Sequence, residues 1–276
     1  MRFALVQMEC GWGKVKDNLA RMEAYAREAA EQRCDMAVFP ELTTTGIYKD
    51  DRVWDLAEDL EGPSMRSVRE LARATGVAIA FGFTERATPL PHNAYAVLRA
   101  DGSLAGVYRK NFIAPLEIPW WQGDVQRPVF EVGGVRLGVS ICWDNTHPEL
   151  LACYGSQRAD VVIMPHAWDA DPLAADGTDL PHSTIGELFE HQRNGRLAGW
   201  RDHDEMRAQF YSYIPQRAQE NGFQVLFVNQ AGQPHAAIRF EGPTFAADRK
   251  GNIVAETVNG REQVVFVDLE TATASS

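Results

Sequence analysis

Cys142 ends the apolar run Gly138-Val139-Ser140-Ile141 and precedes Trp143-Asp144-Asn145. Residues 135–141 alternate β-formers with small residues after a Gly133-Gly134 turn, and Pro148-Glu149-Leu150-Leu151 opens a helical pattern, so the thiol falls at a strand-to-helix junction. Such a junction suits a nucleophile. The strand fixes the side chain, the turn exposes it, and the first amides of the next helix favour a thiolate. The alternative is a buried structural thiol, since free cysteine is among the most buried residue types. Glu41 follows the short apolar run Met36-Ala37-Val38-Phe39 and Pro40, at the strand end where α/β folds place their chemistry; a solvated loop acid is the alternative. Lys110 closes a hairpin formed by residues 93–99, Asp101-Gly102 and residues 104–109, where an edge-strand lysine that blunts aggregation is the other reading. Glu117 is a lone acid in Ala114-Pro115-Leu116-Glu117-Ile118-Pro119-Trp120-Trp121, a stretch shaped like a loop over a cavity.

The elements that must carry these residues recur along the chain. Residues 2–8 read as a buried strand, and residues 15–33 as a helix with Leu19, Met22, Ala26 and Ala29 on one face. Ser64 is expected to cap a second helix that closes at Gly76, followed by a strand over residues 77–84. After Cys142 come a helix to about residue 154, a strand over 161–164, and Pro165-His166-Ala167-Trp168. One helix is expected over residues 206–220, then strands at 223–228, 235–246, 252–256 and 263–269. Residues 169–204 read as an irregular polar stretch, too long for an ordinary connection and placed after a strand that ends beside Cys142; we read it as a lid or specificity insert. Its histidines, His182, His191 and His203, lack the spacing of a metal motif, so no metal is expected. Two similar halves, folded as two mixed sheets face to face with helices outside, bury every strand in an α/β architecture.

Across its 276 residues the chain has no Pro/Gly/Ser-rich break, and we expect one domain over 1–276 with a disordered tail at 271–276. A net charge of −11 argues against a nucleic-acid partner, which needs a basic face, and tolerates a cationic substrate. The opening Met1-Arg2-Phe3-Ala4-Leu5-Val6-Gln7-Met8 is too short for a signal peptide and no run approaches a membrane span, so a cytoplasmic location without membrane partners is expected. Four cysteines without a C-x-x-C pair predict reduced thiols. Neither G-x-G-x-x-G nor a Walker loop is present, and no cofactor is expected.

Taken in order, Phe39-Pro40-Glu41, Tyr108-Arg109-Lys110, Ile141-Cys142-Trp143-Asp144, Gln216-Arg217-Ala218-Gln219-Glu220-Asn221-Gly222, Asn229-Gln230-Ala231-Gly232 and Gly242-Pro243 resemble the nitrilase superfamily of carbon–nitrogen hydrolases over nearly the whole chain. The resemblance implies a four-layer α-β-β-α sandwich, a homodimer or larger homo-oligomer, and a small-molecule substrate. It carries over Glu41 as general base, Cys142 as nucleophile, and Lys110 with the Trp143 amide as oxyanion donors. Glu117 fits the second glutamate that many members use, although it lies closer to Lys110 than is usual. Trp143, Tyr48, His166, Trp168 and Asn145 are the candidates for substrate contacts, with His166 expected in the acyl pocket. Asp144, where true nitrilases commonly carry glutamate, and the lack of a longer C-terminal region favour an amide or N-carbamoyl compound over a nitrile. The rivals are a nitrilase on the same trio, an acyltransferase, a metal hydrolase using the insert histidines, and a catalytically silent scaffold.

Overall fold

Parallel strands need crossovers, and the alternation of short apolar runs with amphipathic helices supplies them twice. The structure is a computed structural model and describes residues 1–47, 51–180 and 185–270. The first half runs β1 (Arg2–Gln7), α1 (Val15–Glu31), β2 (Met36–Val38), the short α2 (Val53–Leu56), α3 (Pro63–Thr75), β3 (Ala78–Glu85), β4 (His92–Leu98) and β5 (Leu104–Arg109). The second opens with β6 (Phe130–Val132), β7 (Val135–Val139), a 3-10 turn (Cys142–Thr146), α4 (Pro148–Ser156) and β8 (Val161–Pro165). It continues through β9 (Pro172–Leu173), α5 (Ile185–Arg193), β10 (Gly199–Trp200), α6 (His203–Tyr211), α7 (Ile214–Asn221) and β11 (Gln224–Val228). The chain closes with β12 (Ala231–His235), β13 (Ile238–Glu241), β14 (Thr244–Ala247), β15 (Ile253–Glu256) and β16 (Gln263–Asp268).

The two large sheets have the orders β16-β1-β2-β3-β4-β5 and β15-β14-β11-β8-β7-β6. In each, a central parallel trio, β1-β2-β3 or β7-β8-β11, is flanked by antiparallel strands, so the halves share one plan. Phe3, Leu5 and Tyr95 from one sheet and Val139, Ile163 and Leu226 from the other bury in a common layer between them. Met22, Ala26, Met65 and Val68 seat α1 and α3 on one outer face, and Leu150, Phe210 and Ala218 seat α4, α6 and α7 on the other. Burying each large apolar side chain contributes about 1.5–3 kcal/mol before entropy is counted. The layers therefore run α-β-β-α, as the sequence implied.

Local differences have local causes. Ser64 lies inside the first turn of α3, after Gly62 and Pro63, and its N–H and hydroxyl both donate to the Glu58 carboxylate at 2.8 Å, which takes over the capping role. The expected helix over 206–220 is broken into α6 and α7 because Pro215 lacks an N–H and its ring crowds the preceding turn. The stretch 169–204 is not irregular. It holds the β9–β10 ribbon and α5, organised by apolar residues that its polar composition hides: Leu188 is buried in a cluster with Leu42, Ile238 and Phe240, and Phe189 packs against Trp12 and His235. Tyr48, His182 and the expected tail at 271–276 lie outside the described residues.

Candidate active site

The sheets deliver the ionisable residues to one place from their strand ends. Glu41 follows β2, and the chain turns sharply at Leu42, whose φ is +49°. That turn lies against β3 at Gly82, where a Cβ would stand 2.1 Å from the Leu42 nitrogen, so only glycine admits it. Cys142 follows β7 and itself takes φ +49°, a left-handed conformation costing a non-glycine residue about 1–2 kcal/mol. The neighbouring chain over-determines that conformation. Tyr154 donates its hydroxyl to Val139 O at 2.5 Å, and Ser140 N donates to Ile163 O at 3.0 Å.

Asp144 then ties this turn to the segment bearing Lys110. Fully buried, its carboxylate accepts from Tyr108 Oη (2.7 Å) and Ile141 N (3.0 Å) on one oxygen, and from Phe112 N (2.7 Å) and Asn111 N (3.2 Å) on the other. Burial raises its pKa to about 6, against the pull of these donors and of Lys110.

Lys110 is fully buried between two carboxylates, with Nζ 2.9 Å from Glu41 Oε1 and 2.8 Å from Glu117 Oε2. Burial alone would lower its pKa, but Glu117 and Glu41 outweigh it and hold the ammonium above its ordinary value. Glu41 is further fixed by Asn93 Nδ2 on Oε1 and the Ala167 amide on Oε2, each at 2.7 Å, while Gln230 Nε2 donates to its main-chain oxygen at 2.9 Å. Cys142 is buried beside them. Burial, then the charge of Glu41, push its thiol well above the ordinary range, with Lys110 opposing. The expectation of a thiolate favoured by helix amides is thus reversed: the following turn spans only five residues, and the resting group is a thiol that needs a base.

A cavity of about 280 Å³ opens onto Cys142 and Glu117, walled by Trp143, Trp168 and Ala167. The two indoles stack at 6.0 Å and 26°, and Asn229 clamps the Trp168 main chain through N–H···Oδ1 (3.0 Å) and Nδ2–H···O (3.2 Å) bonds. His166 and Asn145, expected at the substrate, do not line this cavity. His166 is fully buried, lies within hydrogen-bond reach of Met164 O (Nδ1, 3.0 Å) and Asn145 Nδ2 (Nε2, 3.4 Å), and packs on Phe227 and Phe210; its side chain belongs to the core behind Ala167. Burial lowers its pKa to about 3. Asn93 and Gln230 hold Glu41 yet had no role in the sequence reading; the one available signal for Asn93 is a polar residue opening the apolar run of β4. Among the described residues, no group of three or more His, Cys, Asp or Glu comes together to hold a metal ion, and no helix is long and apolar enough to cross a membrane.

Layers, paired half-sheets and a buried Glu-Lys-Glu-Cys cluster define the class as nitrilase-like. Residues 2–276 match the family described as Carbon-nitrogen hydrolase, and the chain belongs to that family. Among curated relatives, a probable nitrilase of Schizosaccharomyces pombe is 32% identical over 63% of this chain and 65% of its own length. The N-carbamoylputrescine amidase of Solanum lycopersicum is 30% identical over 64% of this chain and 61% of its own length. The chain thus spans less than two thirds of these two relatives. The amidase from Nesterenkonia sp. AN1 superposes with a TM-score of 0.76 over 98% of this chain and 93% of that one, at 22% identity, which establishes the shared fold.

Proposed function

We propose that the protein hydrolyses the C–N bond of a small linear amide or N-carbamoyl compound through a thioester on Cys142, releasing ammonia or an amine and a carboxylic acid. The observation that carries this is the buried contact of Lys110 with both Glu41 and Glu117 beside a thiol that opens onto a cavity. In the first half-reaction Glu41 takes the thiol proton as Sγ bonds to the carbonyl carbon, whose π pair moves onto oxygen. Lys110 and the Trp143 amide donate to that oxyanion, each such donor typically contributing about 10²–10³ in rate. The oxyanion collapses, the C–N bond breaks, and the proton on Glu41 passes to the departing nitrogen. Water then gives its proton to Glu41 and attacks the thioester; C–S cleavage releases the acid, and the sulfur is reprotonated. Glu117 keeps Lys110 charged and oriented.

We read the chain as one cytoplasmic domain in which residues 169–204 form a lid or specificity insert, and family resemblance extends the reading to a homo-oligomer, with fractionation and sedimentation as the checks. The decisive experiment is intact-mass spectrometry of wild type and Cys142→Ala with amides, carbamoyl compounds and nitriles, alongside ammonia release. A Cys142-dependent acyl adduct on amides is expected. Turnover confined to nitriles would replace the reading with the nitrilase one, which the names of two relatives also carry; no adduct and no ammonia would overturn it.

A further inference from the structure

The proposed function leaves the far end of the substrate undefined, and the cavity's charges define it. Besides Cys142 and Glu117 the cavity is lined by small and aliphatic residues of 114–116, 167 and 170, by Trp143 and Trp168, and by two further acids, Asp169 and Asp171. Asp171 is paired with Arg201, at 3.4 Å, and that guanidinium also meets Asp179 (2.8 Å) and Glu205 (3.0 Å). Asp169 is half-buried, and among the described residues neither a hydrogen bond nor an ion pair engages its carboxylate. Lys110 is the one cation within the cluster and already answers two carboxylates. Among the described residues that line the cavity there is no lysine, arginine or histidine.

An anionic substrate end would therefore meet a wall of its own sign. A cationic end would meet Asp169 together with the faces of two stacked indoles, and aromatic faces attract cations through their quadrupoles. The volume, near the lower end of the roughly 300–1,000 Å³ typical of ligand cavities, restricts that substrate to a short chain. We propose that this cavity selects an amide whose distal end is an ammonium or guanidinium group, with Asp169 as its carboxylate partner and Trp143 and Trp168 as its aromatic walls. The inference rests on the amidase reading of the same site.

Three amides of matched length test it: 4-aminobutanamide (cationic), pentanamide (neutral) and 4-carbamoylbutanoate (anionic). Binding to Cys142→Ala is measured by calorimetry, and kcat/KM is measured for wild type, Asp169→Asn and Asp169→Glu. The expected order in both assays is cationic, neutral, anionic, with about a tenfold or greater gap between the first two at low salt that narrows as salt screens it. Asp169→Asn should shrink the cation-to-neutral ratio about tenfold, acting mainly on KM, and Asp169→Glu should restore most of it. Loss spread equally over all three amides would mark Asp169 as merely structural and overturn the inference. So would neutral binding or turnover that matches or exceeds the cationic. Turnover without cation preference removes this inference and leaves the amidase reading standing. Cation-selective binding without any turnover does the reverse.

Discussion

A lysine with no exposed surface is tolerable only because two carboxylates surround it, and that makes Lys110 the residue on which both stability and chemistry turn. Removing it leaves Glu41 and Glu117 as uncompensated buried charges. Lys110→Met should therefore destabilise the fold by about 3–5 kcal/mol in chemical denaturation as well as abolish turnover. Adding Glu117→Gln to that variant removes one of the stranded charges, and the double variant should recover part of the stability and none of the activity. Additive losses would show that the pair is not coupled. At Glu41, substitution by glutamine keeps an acceptor oxygen near Lys110 but removes the base that the protonated thiol requires. Acylation of Glu41→Gln, followed by the rise of the adduct in time-resolved mass spectra, should slow by about 10²–10⁴.

The elements reach the site by close approaches that a side chain would spoil. Gly82→Ala forces a Cβ against main chain at Leu42 rather than against a side chain that can turn away. It should cost about 1–3 kcal/mol in melting experiments and lower kcat by displacing Glu41, whereas Gly134→Ala, strained by its φ of +78° but with nothing near its Cβ, should cost stability and leave kcat intact. In the insert, Leu188→Ala should empty part of the cluster that contains Leu42, raising KM more than it changes kcat. Much of this level was legible beforehand. Apolar runs at residues 2–8, 36–39, 135–141 and 161–164 are short and bounded by turn signals, as buried strands are, and Glu41 and Cys142 come just after the second and third of them. What escaped depended on distant partners. Asn93 has meaning only once β4, one strand removed from β2 across β3, brings it to Glu41, 52 residues away in sequence, and Gln230 donates to Glu41 across 189 residues. His166 misled for a related reason: the family resemblance put its position after Pro165 in the acyl pocket, while Phe227, Phe210 and Asn145 enclose its side chain from other elements of the chain. Within residues 169–204 a polar average concealed Leu188 and Phe189, the residues that dock α5.

At the scale of the whole molecule, two buried groups perturbed in opposite ways make opposing contributions to its response to acid. His166, whose pKa falls from 6.5 to about 3 on burial, stays neutral in the fold while the unfolded chain takes up a proton below about pH 6.5. Its contribution to stability is complete above that pH and is lost as pH falls toward 3. Asp144 runs the other way. With its pKa raised from 3.8 to about 6, the folded chain binds the extra proton between those values, so stability from this group falls as pH rises from about 4 to 6. In the window from pH 4 to 6 each group contributes a slope of about 1.4 kcal/mol per pH unit, of opposite sign, and the two nearly cancel. Removing either one exposes the other. Asp144→Asn should therefore lose stability more steeply than wild type as pH drops from 6 to 4, and His166→Gln should lose it less steeply or gain. Urea titrations at half-unit steps across that window read the slopes directly, independently of how far each substitution lowers stability at neutral pH. Parallel curves for wild type and both variants would show that neither group changes its protonation on unfolding in this range. Crossing curves would establish that the acid held beneath the nucleophile's turn and the imidazole behind the cavity balance one another's titration.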